Sequence, residues 1–169
     1  MLDVAGGTGG LAVELTTACP NLRATVVDLP SVTPTTQKYV DEAGAGDRVR
    51  VVSADVVTGH LEGSYDVAVV SAFIPVIAAD DAQRALKNVG NVIEPGGTIY
   101  LTGGSTIDDS RSSPPDIALN GQFFINAFDE VSPKTENERR RWLVDAGFED
   151  IQQLPFPEGG SSMVAQKQR

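Results

Sequence analysis

Two kinds of apolar segment alternate along this chain. Short, nearly continuous runs rich in Val, Ile and Ala follow Met1 and recur over Arg23–Asp28, Arg48–Ser53, Tyr65–Ser71 and Thr98–Thr102. Such runs predict strands buried on both faces of a parallel sheet. Between them, apolar positions at helical spacing predict helices from about Gly9 to Ala18, from just after Ser31 to about Ala43, and from Asp80 to about Ile93. Pro34 is tolerated in the first turn of its helix, where an N–H has no intrahelical partner. Gly44 and Gly46 end that helix, and Asp80-Asp-Ala-Gln83 reads as a capping box opening the next. Glu94-Pro-Gly-Gly97 reads as the turn into the Thr98–Thr102 strand. Strands alternating with helices at this spacing make a doubly wound, mostly parallel α/β sheet.

The last third changes character. Gly103 to Pro115 reads as a long loop, and Asp116 to Phe128 as a helix with Phe123, Phe124 and Phe128 on an aromatic face. That face either packs into the core or lines a pocket for an aromatic ligand. Thr135-Glu-Asn-Glu138 is a capping box for a helix ending at Gly147, with Arg139, Arg140 and Arg141 as a solvated basic patch. Phe148–Pro155 and Ser161–Gln166 read as a terminal antiparallel pair. Residues 1–169 show no repeat and no internal boundary, and so predict one domain.

The chemistry begins at the first turn, Ala5-Gly6-Gly7-Thr8-Gly9-Gly10. Strand, glycine turn and helix N-terminus present free backbone N–H groups to a bound molecule. Gly7-x-Gly9-x-x-Ala12 satisfies the loose dinucleotide fingerprint, so a nicotinamide cofactor fits the glycines. Asp3 argues against it, because a carboxylate facing a diphosphate in a partly dry crevice is costly. The same carboxylate suits the ammonium and sulfonium of S-adenosylmethionine. Asp28 closes the second strand roughly 20 residues on, where either nucleotide requires an acceptor for its ribose hydroxyls.

A net charge of −10 disfavours a nucleic-acid partner, which needs a basic face. The single cysteine, Cys19, excludes an internal disulfide and suits a reducing cytoplasm; it is expected to be packed at the end of the first helix. No apolar run reaches membrane-spanning length, no basic-then-apolar leader precedes the first strand, and no metal site is expected.

The strings LDVAGGTGG, VVDLPSV, RVRVVSADV, YDVAVVSAFI, IEPGGTIYLTG and KTENERRRWLVDAGFEDI follow one another as in small-molecule O-methyltransferases, and the chain resembles the catalytic domain of that S-adenosylmethionine-dependent family. The resemblance covers nearly the whole chain. It implies a Rossmann-like methyltransferase sheet with a terminal antiparallel strand, S-adenosylmethionine as cofactor, and a small aromatic or polyketide hydroxyl as acceptor. Members usually carry an N-terminal helical region that dimerises and closes over the substrate; the chain is expected to lack it, whether as a fragment or as a minimal domain. The resemblance also implies that Asp55 meets the adenine amino group while Val56 lies against the ring, although Asp55 also reads as an ordinary strand-end aspartate.

The cofactor set is thus Asp3, Gly6, Gly7, Gly9, Asp28, Leu29, Asp55, Val56 and Ser71, with Phe73 and Phe124 as acceptor-side candidates. The family's catalytic histidine falls at Pro75, and its two supporting acids at Gly103 and Pro133. The one histidine, His60, belongs to a loop and reads as a surface residue. Three readings follow: methyl transfer by proximity to an acceptor that ionises unaided, S-adenosylmethionine chemistry of another kind, or a binding domain without turnover. An NAD-dependent oxidoreductase is the outside alternative. None of Tyr39, Tyr65 and Tyr100 has a lysine four residues on to polarise a carbonyl.

Overall fold

A computed structural model describes residues 1–103, 134–155 and 161–169. The elements are β1 (Leu2–Val4), α1 (Gly10–Ala18), β2 (Ala24–Asp28), α2 (Thr33–Glu42), β3 (Val49–Ser53), β4 (Tyr65–Ser71), a 3-10 turn (Ile74–Val76), α3 (Ala79–Gly90), β5 (Ile93–Thr102), α4 (Glu136–Asp145), β6 (Phe148–Pro155) and β7 (Ser161–Lys167). They build a seven-stranded sheet in the order β3-β2-β1-β4-β5-β7-β6. β1 to β5 pair in parallel, while β7 runs antiparallel between β5 and β6. The expected doubly wound sheet and its antiparallel tail are both present.

Side-chain alternation divides the core. Leu2, Val4, Val27, Ala68, Val70, Ile99 and Leu101 pack under α3 and α4 against Leu86, Val89, Trp142 and Leu143. On the opposite face, Ala24, Val26 and Val49 pack with Ala12 of α1 and Val40 of α2. Strand order reverses between β1 and β4, and in open α/β sheets that reversal leaves a crevice at the carboxyl ends of the strands. Ala5 and Ala72, the residues directly after β1 and β4, both adopt positive φ (52° and 55°) at this point. Positive φ is uncommon outside glycine, and the two departures flank the crevice.

Several boundaries differ from the sequence reading. α3 starts at Ala79 with Ala78 as N-cap and no side-chain cap, so the Asp80–Gln83 capping box does not form. Asp80 and Asp81 instead lie inside the first turn, where the helix dipole favours acids. α3 stops at Gly90, whose Cα sits so close to the Ala146 carbonyl that a Cβ would approach it to 2.4 Å. Ile93 therefore begins β5 rather than ending the helix. Glu94–Gly97 is not a turn before that strand but an irregularity within it: Ile93 pairs with Tyr65 and Thr98 with Val67, and Gly96 takes φ 80° to absorb the extra residues. Cys19 is exposed as the C-cap of α1, not packed, because the backbone turns extended there. The loop expected from Gly103 to Pro115 lies beyond the described residues after its first member, as does the helix over Asp116–Phe128. Among the described residues no helix is long and apolar enough to cross a membrane.

Candidate functional site

The glycine turn connects β1 to α1. Gly9 N–H closes it on the Gly6 carbonyl at 2.9 Å, and Gly9, with φ 78°, is the N-cap of the helix. Thr36 of α2 donates its hydroxyl to the Gly7 carbonyl and fixes the far side. Gly7 (φ 58°) has open space where a Cβ would stand, whereas a Cβ on Gly6 would come within 2.7 Å of the Asp3 carboxyl group and of Val26. Gly6 thus lets an acid lie directly beneath the turn, and Gly7 keeps the upper side clear.

Asp28 ends β2 beside this turn. Its Oδ2 accepts from Gly7 N–H at 2.8 Å and its Oδ1 from Leu29 N–H at 2.7 Å. Each carboxylate oxygen retains accepting capacity after one such bond. Next to it opens a cleft of about 350 Å³ lined by Ala5, Asp28, Leu29, Ala54, Asp55, Val56, Val57, Thr58, Phe73, Ile77 and Asp81. Ligand pockets of small-molecule size begin at about 300 Å³. Asp28, Leu29, Asp55, Val56 and Phe73 were all expected at the site, and the structure brings them to one surface. Three carboxylates line that cleft, with no Lys, Arg or His among the lining residues. Asp81 is paired with Arg84, so Asp28 and Asp55 carry the unpaired charge of a wall that is otherwise mostly apolar; a cationic nucleoside suits it better than a diphosphate.

Asp55 is built into a tight turn. Its Oδ1 accepts from Val57 N–H at 2.8 Å and its Oδ2 from the Thr58 hydroxyl at 2.6 Å. These bonds, the Thr58 hydroxyl first, hold its pKa below the usual carboxylate value and keep it charged. Asn88 reaches across from α3 and donates to the carbonyls of Val56 and Val57 at 3.0 and 3.1 Å, fixing the same turn from behind. Asn88→Leu should therefore loosen this wall, with an expected fall of about tenfold in nucleoside affinity, on the scale of one buried hydrogen bond. Isothermal titration of the variant with S-adenosylhomocysteine reads that loss, and an unchanged affinity would show that the turn holds itself.

Asp3, expected to face the ligand, does not line the cleft. Leu2 and Val4 point to the α3–α4 face, so strand alternation turns Asp3 under the glycine turn, where it is 1% exposed. Its Oδ2 is buried with no hydrogen-bond partner. Burial first, and then the nearby Asp28 charge, push its pKa up to about 6, while a hydrogen bond from the Ala12 amide acts in the opposite sense. Asp3 bears on the site through the field beneath the turn rather than by forming its wall.

Other expected residues are not drawn together with the cleft. Ser71 is exposed at the end of β4 and is absent from the lining. Phe124 and Pro133 lie outside the described residues. Pro75 is buried within the 3-10 turn, and Gly103 (φ 71°) follows β5. His60 is exposed and borders a separate hollow with Arg50, Glu62 and Tyr65. The arginine run does not form a common solvated patch. Arg141 is exposed, Arg140 pairs with Glu136 at 2.8 Å, and Arg139 is buried because its place on α4 points inward with Trp142 and Leu143. Sequence reasoning missed Thr58, Ile77 and Asp81. Only Thr58 carried a local signal, standing three residues after Asp55 as turn-forming hydroxyls do.

Comparison with known proteins bears on the family and the fold. Residues 1–149 match the O-methyltransferase domain family. The chain is 30% identical over 168 residues to the tetracenomycin polyketide synthesis 8-O-methyl transferase TcmO of Streptomyces glaucescens, covering 99% of this chain and 49% of that protein. It is 28% identical over 165 residues to the 3-hydroxy-5-methyl-1-naphthoate 3-O-methyltransferase of Streptomyces sahachiroi, covering 97% of this chain and 47% of that one. The crystal structure of the S-adenosylmethionine-dependent methyltransferase SibL in its apo form superposes with a TM-score of 0.87 at 29% identity, over 99% of this chain and 50% of SibL. The chain thus spans about half the length of the relatives it matches.

Proposed function

This chain belongs to the O-methyltransferase domain family, and from that premise we propose that it binds S-adenosylmethionine and transfers its methyl group to a hydroxyl of a small aromatic or polyketide acceptor. The observation that carries the reading is the cleft at the carboxyl ends of β1, β2 and β3, where Asp28 and Asp55 stand with no basic residue among the described lining residues. The donor set fits the cofactor. Asp28, already held by two backbone amides, accepts from the ribose hydroxyls; Asp55 accepts from the adenine amino group; Leu29 and the buried Val56 give the ring an apolar seat. Gly7 leaves the upper side of the turn clear for the amino-acid end, near the first-turn amides of α1, while Gly6 and Gly9 let the turn lie close on Asp3, Val26 and Val40. Ser71, at the end of neighbouring β4, remains a candidate at the carboxyl end of the sheet although it does not line this cleft.

When bound, S-adenosylmethionine supplies a methyl group on a sulfonium, with a neutral thioether as leaving group. The protein's main task is then to hold acceptor oxygen, methyl carbon and sulfur in line. Phe73, half-buried beside Ile77 in the cleft, offers an apolar face to a ring. Pro75 stands where the resemblance puts the family's histidine base, and the described lining of the cleft offers no histidine in its place, which favours an acceptor acidic enough to ionise unaided. Two relatives carry a polyketide and a hydroxynaphthoate in their names, both compatible with a hydroxyl acceptor. Nothing in the fold or the comparisons favours the dinucleotide reading.

Calorimetric titration tests the proposal. S-adenosylmethionine and S-adenosylhomocysteine should bind with one-to-one stoichiometry, and NAD should give no heat of binding. NAD binding without either S-adenosyl ligand would overturn the assignment.

A further inference from the structure

Three parallel connections of this sheet carry a helix: α1 joins β1 to β2, α2 joins β2 to β3, and α3 joins β4 to β5. The connection from β3 to β4, residues 54–64, carries none, although a crossover between parallel strands is usually helical. To reach β4 it passes β2 and β1 on the face that α3 and α4 cover farther along the sheet, and it adds Leu61 to the core there. A loop covers less of a sheet than a helix does, and a hollow of about 250 Å³ is left between this one and the strands. Its floor is apolar: Leu2, Val27 and Leu61 are buried and Val52 is half-buried.

Arg50 of β3, His60 and Glu62 of the loop, and Tyr65 of β4 stand around that floor. The Tyr65 hydroxyl donates to the Glu62 carbonyl at 3.1 Å, and Gly63 (φ 105°) lets the loop lie against the ring, since a Cβ there would come within 2.9 Å of that hydroxyl. Arg50 and His60, the chain's one histidine, make no hydrogen bond or ion pair with the described residues, and Glu62 does not pair with Arg50. Arg23 and Arg48, which line an adjoining hollow with Arg50, donate instead to the Asp47 and Thr16 carbonyls. An exposed arginine by itself needs only water. Here the free guanidinium stands beside an apolar floor, and the pair matches a ring that bears an anion: the fork answers both oxygens of a carboxylate, and the floor answers the ring. Glu62 on the same lining opposes a second negative charge, so a monocarboxylate fits better than a phosphate dianion.

The geometry points to a second small-molecule site in this hollow, which takes a planar aromatic monocarboxylic acid, its ring on Val27, Val52 and Leu61 and its carboxylate on Arg50. The hollow shares a single lining residue, Ala54, with the cleft at Asp28 and Asp55, so the site stands apart from the cofactor reading. The helix missing from the β3–β4 connection is what opens it, because a helix laid over β2 and β3 would cover the same apolar side chains.

The probes are 2-naphthoate and its neutral isostere 2-naphthamide, neither of which has a hydroxyl to methylate, titrated calorimetrically into the 169-residue chain alone and saturated with S-adenosylhomocysteine. The acid should bind about tenfold more tightly than the amide, the low end for hydrogen bonds to a charged group because Arg50 is exposed. Arg50→Gln should bring that ratio close to one with thermal unfolding unchanged, and Val52→Phe, which fills the floor without altering charge, should weaken both probes. Equal binding of the two by the parent chain, or none, overturns the site whether or not the variants fold, as does a preference that survives Arg50→Gln. Loss of acid binding on saturation with S-adenosylhomocysteine would put the acid in the cofactor cleft and overturn it too. Sedimentation velocity covers the other occupant: a parent dimer that Arg50→Glu dissociates would make the hollow an interface between copies of the chain and not a ligand site. Failure of S-adenosylhomocysteine to bind counts against the cofactor reading alone, because the titration without it still reads the acid preference.

Discussion

Replacing Asp28 by alanine should lower S-adenosylhomocysteine affinity by at least about 100-fold. In the role proposed for it, the carboxylate accepts from two ribose hydroxyls, and hydrogen bonds to a charged group contribute about 1.5–3 kcal/mol each. Loss of both corresponds to about 3 kcal/mol or more, hence the factor. A second loss follows from the geometry: Gly7 N–H and Leu29 N–H, now 2.8 and 2.7 Å from Asp28, would have no acceptor, and the glycine turn would be released from the end of β2. Asp28→Asn separates the two effects. Its amide can answer one of these N–H groups with oxygen but must face the other with –NH₂, so it should bind more weakly than the parent and more tightly than the alanine variant. Calorimetry supplies the affinities, and thermal unfolding of each variant shows whether the sheet survives. Parent-like affinity in Asp28→Ala would remove the ribose role.

The parts of the fold legible in the sequence are those fixed by local chemistry. The apolar run Tyr65–Ser71 is a strand with those bounds, and Thr135 and Glu138 form the reciprocal cap that their spacing announces. Asp28 and Asp55 could be placed because β-branched runs fix where strands end, and in a parallel sheet those ends share one rim. What the sequence hid depends on contacts between distant segments. β5 swallows Glu94–Gly97 because Ile93 finds Tyr65 across the sheet, a pairing no local turn signal reveals. Asp81 read as a capping residue, yet it reaches the cleft because α3 begins earlier than its polar residues suggested. Three consecutive arginines look alike in sequence, while α4 sends one inward, pairs one along its flank and leaves one in water. Asp3 is a different case: the alternation of Leu2, Asp3 and Val4 was enough to turn it away from the face occupied by its neighbours, and strand period should have outweighed its nearness to the glycines.

That placement makes Asp3 the source of the second large effect. Its pKa in the fold is about 6 against 3.8 for the free side chain, so between these values the folded chain binds more protons than the unfolded one. Stability from this group is therefore greatest below about pH 4 and falls as pH rises toward 6 and beyond, where the carboxylate must be charged in the interior. About two pH units of difference correspond to roughly 3 kcal/mol at neutral pH. Asp3→Asn cannot ionise and should escape this loss. Its own amide carries a fixed cost for an unanswered group, so the informative quantity is the change with pH rather than the offset. Urea unfolding of parent and variant from pH 4 to pH 7.5 should show the difference between them moving by about 2.5 kcal/mol in the variant's favour, since carboxylates remote from Asp3 titrate in both and cancel. Parallel curves would mean that Asp3 is not buried as a charge. A bound ammonium or sulfonium above the glycine turn favours the ionised form, so S-adenosylhomocysteine should bind the parent more tightly as pH rises from 5 to 7, a trend expected to be absent in Asp3→Asn. The acid that weakens the free fold at neutral pH is thereby the one that cofactor binding makes favourable.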